Sequence, residues 1–530
     1  MVELIASAIG EFLATMRRPL SLRKLRAIVL KSRTRLRFTT RNQQNMNCFL
    51  LSTPKPTTGR PIGITKGLLF VSLLIGLTGC PTSENGTAKQ KPLTVAPPDA
   101  IKLLVIGDTE IGPKLVRQWK AHQDGELSVE NQSQAEWIKA GFPISDGTDL
   151  IIYPPSLLGE LAEAKKISKL EYAVWNSDEI DKDSWLNHYR RTLTRYGNEP
   201  YAVPLGNPHF SMMYNGAKLG SLRKPSDDRT PADFELPQTW EQLELALNKL
   251  DAKLDLPLAE GWAGHTFISR VASNVRTRGS FSFLFDRSTM EPLIEQTPFL
   301  EALKYLKRTT TKRSLQLNPS DVFKLAAKGE AAVAMGWPTN EAEFQMSERD
   351  ALAVGKVPGS KRIYDFRRAT WKERLDDEET CIDCLGFGGL VASRIAETRH
   401  EDTATSFIKW VSDKRVILKT AAQSPLTGPV RASHLGDLSG WAGEAVPLEV
   451  LDEYAAVIRS LHERKLVVVF PRIPGSNRYY AAFDQGVRSA VTGEKTPEKA
   501  MAGVAKEWNQ ITDSLGRQKQ IAAMQRESGY

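Results

Sequence analysis

The chain has 530 residues with 71 Lys+Arg against 62 Asp+Glu, a formal net charge of +9 and a pI near 9.1. Thirteen of the basic residues and only two of the acidic ones (Glu3 and Glu11) precede Cys80, so the remainder holds 58 basic and 60 acidic residues. The basic balance belongs to the N-terminal stretch, which removes charge as a reason to expect DNA or RNA as a partner.

Residues 1–65 carry arginine and lysine from Arg17 to Arg41 and are longer than an ordinary leader, which runs about 15–30 residues. A basic nucleic-acid-binding arm and translation from Met46 are the two readings, and the later start is favoured. Residues 66–80 follow as a lysine, a short apolar run, two small residues and a cysteine. The run is shorter than the roughly 20 residues that span a bilayer, and has the order of a signal peptide's basic and apolar regions. Its end, Leu77-Thr78-Gly79-Cys80, resembles the lipobox of bacterial lipoproteins, which implies lipidation at Cys80 and cleavage before it. Residues 80–99 are rich in Pro, Thr, Ser, Asn and Lys without apolar periodicity and read as a flexible tether.

The residues from 100 onward exceed a usual single core, so two lobes are expected. Residues 101–106 (Ile-Lys-Leu-Leu-Val-Ile) and 149–153 (Asp-Leu-Ile-Ile-Tyr) are short apolar runs that read as buried strands, each followed by a helical pattern. Strands alternating with helices imply a mostly parallel sheet covered on both faces. Ligands of such sheets meet the loops after the strands' carboxyl ends, where Asp108, Thr109, Tyr153 and Ser156 stand. Residues 201–215 read as extended around Gly206-Asn207-Pro208. Thr239 caps a helix start, and residues 322–335 give a helix, a glycine stop at Gly329 and a strand that runs out at Gly336-Trp337-Pro338. Residues 385–392 form a glycine-rich strand, 403–411 an amphipathic helix, and Thr496-Pro497 opens a last helix.

Four cysteines are present, too few for a disulfide framework. Cys381-Ile-Asp-Cys384 has the spacing of a redox pair, but it precedes a glycine-rich strand instead of opening a helix, so a local disulfide is favoured. No second pair or histidine cluster completes a zinc site around it. The nucleophile-elbow, phosphate-loop and zinc-protease motifs are absent from the sequence. No enzyme and no cofactor are expected.

Several phrases recur in the order they take in a known family: Thr148-Asp-Leu-Ile-Ile-Tyr153, Tyr201-Ala-Val-Pro with Tyr214-Asn215, Pro237-Gln-Thr-Trp-Glu, Lys328-Gly-Glu-Ala-Ala-Val-Ala-Met335, Lys356-Val-Pro-Gly359 and Gly493-Glu-Lys-Thr-Pro-Glu-Lys-Ala-Met501. Over about residues 100–515 the chain resembles the extracellular solute-binding proteins of bacterial ABC importers, in the group that includes maltose-binding protein. The resemblance implies an α/β, two-lobe type II binding-protein fold with a hinge. Residues 100–205 plus 385–431 would form lobe 1, and residues 206–384 plus 432–530 lobe 2. It implies a monomer on the extracytoplasmic side of the cell envelope that delivers a small solute, with carbohydrate favoured, to an ABC permease. The alternatives are a sensor or structural partner that has lost transport, and a thiol–disulfide enzyme.

Carried onto matching positions, the resemblance places Asp108, Thr109, Tyr153, Trp337 and Tyr480 at the ligand, the aromatic ones as platforms for sugar rings. At the crossing where sugar binders can carry a carboxylate, this chain has Asn207-Pro208-His209. Asn207 and His209 are therefore ligand positions, His209 having hinge packing as its other reading. Trp337 and Tyr480 also read as core packing, and Trp262 and Tyr479 are weaker ligand positions.

Overall fold

The structure is a computed structural model that describes residues 100–529 except 123–124, 221–235, 277–281, 346–351, 376–382, 386–388 and 423. The leader, Cys80, the tether and Cys381 lie outside the described residues; of Cys384 only the backbone is described.

Strand β1 (Ile101–Ile106) leads into helix α1 (Ile111–His122), strand β2 (Leu127–Gln132) and strand β3 (Leu150–Tyr153). Helix α2 (Leu158–Glu163) and strand β4 (Val203–Gly206) follow. The apolar run of β1 has a simple cause, because both its faces are covered. Leu103 and Val105 enter one apolar cluster with Trp119 of α1, while Leu104 and Ile106 enter another with Trp137 and Leu158.

After residues 207–210 the chain forms β5 (Ser211–Asn215), α3 (Trp240–Leu250), β6 (Leu254–Asp255), α4 (Ala263–Val275), α5 (Thr297–Thr309), α6 (Pro319–Ala327), β7 (Val333–Gly336) and β8 (Leu352–Gly355). The predicted Thr239 cap is present, its hydroxyl accepting the Gln242 amide in a reciprocal capping box. The chain then passes through β9 (Asp383–Leu385) to β10 (Leu390–Arg394) and α7 (Glu401–Val411), and ends with α8 (Leu448–Glu463), β11 (Val467–Val469), α9 (Ser476–Thr492), α10 (Pro497–Leu515) and α11 (Arg517–Glu527).

Two larger sheets dominate the described residues, beside three two-stranded ones of which β9 and β11 form one. The first has the order β2-β1-β3-β10-β4, with β1 parallel to β2 and β3, and β10 antiparallel to β3 and β4. The second has the order β8-β5-β7-β6, with β5 antiparallel to both neighbours. The chain crosses from the first sheet to the second at 207–210 and re-enters the first sheet at β10. This is a two-lobe α/β architecture. The C-terminal helices α9 and α10 pack on α4 and α5 of the second lobe. Helix α11 then reaches residues 196–198 of the first lobe, where Tyr196 Oη lies 3.3 Å from the Ala523 carbonyl and Asn198 Nδ2 donates to the Gly529 carbonyl at 3.0 Å.

Among the described residues, no helix is long and apolar enough to cross a membrane.

Candidate ligand-binding cleft

The carboxyl ends of β1, β2 and β3 in the first lobe face the start of α4, the end of β11 and the first turns of α9 in the second, across a cavity of about 550 Å³. Gly107 and Thr109 come from the loop after β1, Gln132 to Ala135 from the end of β2, and Pro154 to Leu157 from the loop after β3. Prolines stop β3 here because they cannot donate to a sheet ladder. Across the gap stand Trp262, which precedes α4, and His265 in its first turn, with Phe470, Asn477 and Tyr480 from the C-terminal segment. Gly389, Leu426 and Val469 also line it.

Local hydrogen bonds fix the second wall. Tyr480 Oη donates to the Gly261 carbonyl at 2.7 Å and accepts from the His265 amide at 3.2 Å. Its ring stacks on the His265 imidazole with centroids 4.2 Å apart. Asp484, one helical turn further along α9, accepts the Gly261 and Gly264 amides at 2.9 Å each and so caps the start of α4. Burial pushes the Asp484 carboxyl upward, while those amides and Arg488 oppose the rise. Trp262 leans edge-on against Trp337 at 5.3 Å, and Trp337 in turn meets Phe210 at 5.3 Å.

The seven expected ligand residues are dispersed. Thr109 and Tyr480 line the cavity. Asp108 is buried beside it, with one oxygen on the Glu110 and Ile111 amides at 2.7 and 3.2 Å and the other accepting the Ser424 hydroxyl. Its carboxylate thus fastens the start of α1 and turns from the cleft. Tyr153 is fully buried in the first lobe, its hydroxyl 2.9 Å from Ser393 Oγ; burial pushes that phenol upward. Trp337 sits behind Trp262 and is 4 % exposed. Asn207 and His209 lie buried in the crossing, where His209 Nε2 is 3.0 Å from His462 Nε2. Trp262, His265 and Phe470 are wall residues that no local pattern singled out as strong ligand positions.

The two lobes also touch directly. Gly475 donates its amide to Glu160 Oε2 at 2.6 Å. Gly159 lies so close to the Arg472 carbonyl that an added Cβ would stand 1.5 Å from it, a contact only glycine permits.

No family model and no curated protein matches the chain. Solved structures do. Maltose-bound MalE3 of T. maritima superposes with a TM-score of 0.55 at 16% identity, covering 78% of this chain and 100% of that one. The ABC transporter solute-binding protein of Agrobacterium radiobacter K84 in complex with ribitol gives 0.59 at 15% identity, with 78% and 100% covered. The sugar-binding protein MalE of Xanthomonas citri gives 0.58 at 16% identity, with 80% and 99% covered. The fold is thus that of the two-lobe ABC solute-binding proteins. Within that class it is MalE-like in architecture.

Proposed function

We propose that this protein is a lipid-anchored solute-binding protein that captures a small carbohydrate or polyol outside the cytoplasm and passes it to an ABC importer. The observation that carries the reading is the cleft itself, a ligand-sized cavity between two lobes, at the strand ends of one and against an aromatic wall of the other. The similar structures bound to maltose and to ribitol support the ligand class. Affinity arises from closure, the ligand favouring the closed arrangement over the open one. The chain does no bond chemistry in this role. Thr109, Trp262 and Tyr480 are the residues proposed to touch the ligand.

The anchor rests on residues 66–80. Mass spectrometry of the protein from membranes should find diacylglycerol on Cys80, and Cys80→Ala should release it to the soluble fraction; an unmodified Cys80 removes the anchor. For the ligand, a thermal-shift screen of sugars and polyols is decisive, since a ligand at 100 times its Kd adds about 2.7 kcal/mol of stability. If no sugar or polyol moves the melt, the carbohydrate reading fails.

A second reading, a sensor or structural partner without transport, is favoured by the direct lobe contacts at Gly159 and Glu160 and by the hold of α11 on the first lobe. Small-angle scattering separates the two. A transport trap compacts on ligand addition, whereas a fixed partner keeps its dimensions.

A further inference from the structure

The cleft's walls differ in kind. The second lobe offers rings: Trp262, the stacked His265–Tyr480 pair and Phe470. Facing them, the first lobe supplies Ile138, Pro154, Pro155 and Leu157. Charge is scarce between them. Among the described residues that line the cleft none is Asp, Glu or Lys, and Arg472 is the one arginine.

That arginine is committed elsewhere. Its Nε donates to Glu527 Oε1 at 2.7 Å and its Nη2 to Glu527 Oε2 at 3.3 Å and to the Arg195 carbonyl at 3.0 Å. Its Nη1 donates to the Leu193 carbonyl at 3.2 Å. The nearby acids are engaged too: Asp108 on the α1 amides and Ser424, Asp484 on the α4 amides. A ligand ion enclosed here would shed water and gain no counter-charge, which disfavours it strongly.

Hydroxyl partners are also few. Gln132 gives its amide to Glu130 at 2.5 Å, and Ser133 Oγ donates to Glu136 Oε2 at 2.8 Å. Thr109, Gln134, Ser156 and Asn477, with the side-chain carbonyl oxygen of Gln132, remain as lining groups able to meet ligand hydroxyls. A ligand covered in hydroxyls would leave some of them buried and unpaired, which costs more than never burying them. Apolar area against the rings and prolines is favourable without direction.

We infer that the ligand of this cleft is uncharged and joins a hydroxyl-bearing ring to an apolar ring or chain, the chemical class of aryl and alkyl glycosides. The inference rests on the solute-binding reading of the same cleft and narrows its ligand. The apolar part lies on Trp262 and Phe470, and the hydroxyls face Thr109, Gln134, Ser156 and Asn477.

The test is calorimetric titration of the full chain with matched pairs: the phenyl and methyl glycosides of glucose, galactose and xylose in both anomers, with glucuronate and glucosamine as charged counterparts and phenol as the bare ring. At least one phenyl glycoside should bind about tenfold or more tighter than its methyl partner, and the charged sugars should bind weakest. Trp262→Ala should abolish the phenyl preference, with the fold checked by circular dichroism. If methyl and phenyl glycosides bind alike, or a charged sugar binds as tightly, the inference falls while carbohydrate capture stands. Binding of phenol with no glycoside binding overturns both the glycoside class and the carbohydrate role. Silence from every probe does the same.

Discussion

His209 and His462 face each other through their Nε2 atoms, 3.0 Å apart, where the chain first crosses between lobes. Only one proton fits between them. His462 Nδ1 accepts the His188 amide at 3.1 Å, so its own proton sits on Nε2 and is donated to His209. His209 then carries its proton on Nδ1, a buried atom without a hydrogen-bond partner among the described residues. Tyr454 of α8 grips the same residue, accepting from its amide at 3.1 Å and donating to its carbonyl at 3.0 Å. Both imidazoles are therefore packed as neutral rings inside the hinge.

Burial holds the His209 imidazole at about 3 and His462 well below its ordinary value, each lowered further by neighbouring histidines. In the unfolded chain both titrate near 6.5. Between about 6.5 and 3 the unfolded chain therefore binds more protons, so stability is full above about 6.5 and is lost as pH falls. The slope is at most about 1.4 kcal/mol per pH unit per histidine. His434, lowered to about 4 by burial and nearby cations, acts with the same sign. Denaturant melts from pH 7 to 4.5 should show this loss, and His462→Gln should flatten the slope by up to about 1.4 kcal/mol per unit. An unchanged slope would acquit the hinge histidines.

Helix α11 is held by two ion pairs of different worth, Arg472–Glu527 within the second lobe and Arg526–Glu163 across to the first. Arg472 and Glu527 are both buried, with side-chain exposures of 3% and 12%. Burial pushes the Glu527 carboxyl upward and Arg472 opposes it. Arg526 forks onto Glu163 at 2.6 and 2.7 Å, but is 45% exposed. Removing one partner of a buried pair strands a charge and costs about 3–5 kcal/mol; an exposed pair contributes about 0.2–1 kcal/mol. Glu527→Ala should thus lower the denaturation midpoint far more than Arg526→Ala. Equal losses would mean that the buried pair is hydrated.

Much of the fold was legible because it follows from short-range patterns. The runs of β1 and β3, the Thr239 cap and the Gly329 stop each state their local structure in their own residues, and the structure has them where expected. The cleft was less legible because its walls come from distant parts of the chain. Gln134 and Asn477 meet only after the topology has brought β2 and α9 together. Asp108 follows a strand as a ligand carboxylate would, yet an aspartate three residues before a helix can also bond its first amides, and Ser424 decides between these from over 300 residues away. Tyr153 and Trp337 look like platforms in one dimension, whereas Ser393 and Trp262 cover them in three.

The tryptophans near the cleft should separate by substitution. Trp337 is buried between Phe210 and Trp262, so Trp337→Ala leaves a large hole and should cost about 3–5 kcal/mol of stability. Trp262 is half-buried and lines the cavity. Trp262→Ala should cost less in a denaturant melt and more in ligand binding, read by calorimetry. If Trp262→Ala leaves the dissociation constant unchanged, the aromatic wall is not where the ligand lies.

Glycines let the crossing and the 424–430 loop approach closely. Gly206 has φ of +125°, and a Cβ on it would stand 2.1 Å from the Gly428 carbonyl oxygen. A Cβ on Gly428 would meet the Asn207 carbonyl oxygen at 2.3 Å. The obstacles are backbone atoms, which cannot rotate aside as a side chain end would. Gly389, just before β10, donates its amide to the Leu426 carbonyl at 2.7 Å and so fixes the same loop from a third side. Gly428→Ala must therefore push the crossing away from the 424–430 loop, and overpacking of this kind costs about 1–3 kcal/mol. Gly436, where an added Cβ meets nothing within 4 Å, is the matched control; Gly436→Ala should stay within about 0.5 kcal/mol of the parent. Comparing the two denaturant midpoints checks the close approach, and a Gly428→Ala protein as stable as the Gly436→Ala control would show that the crossing has room to spare.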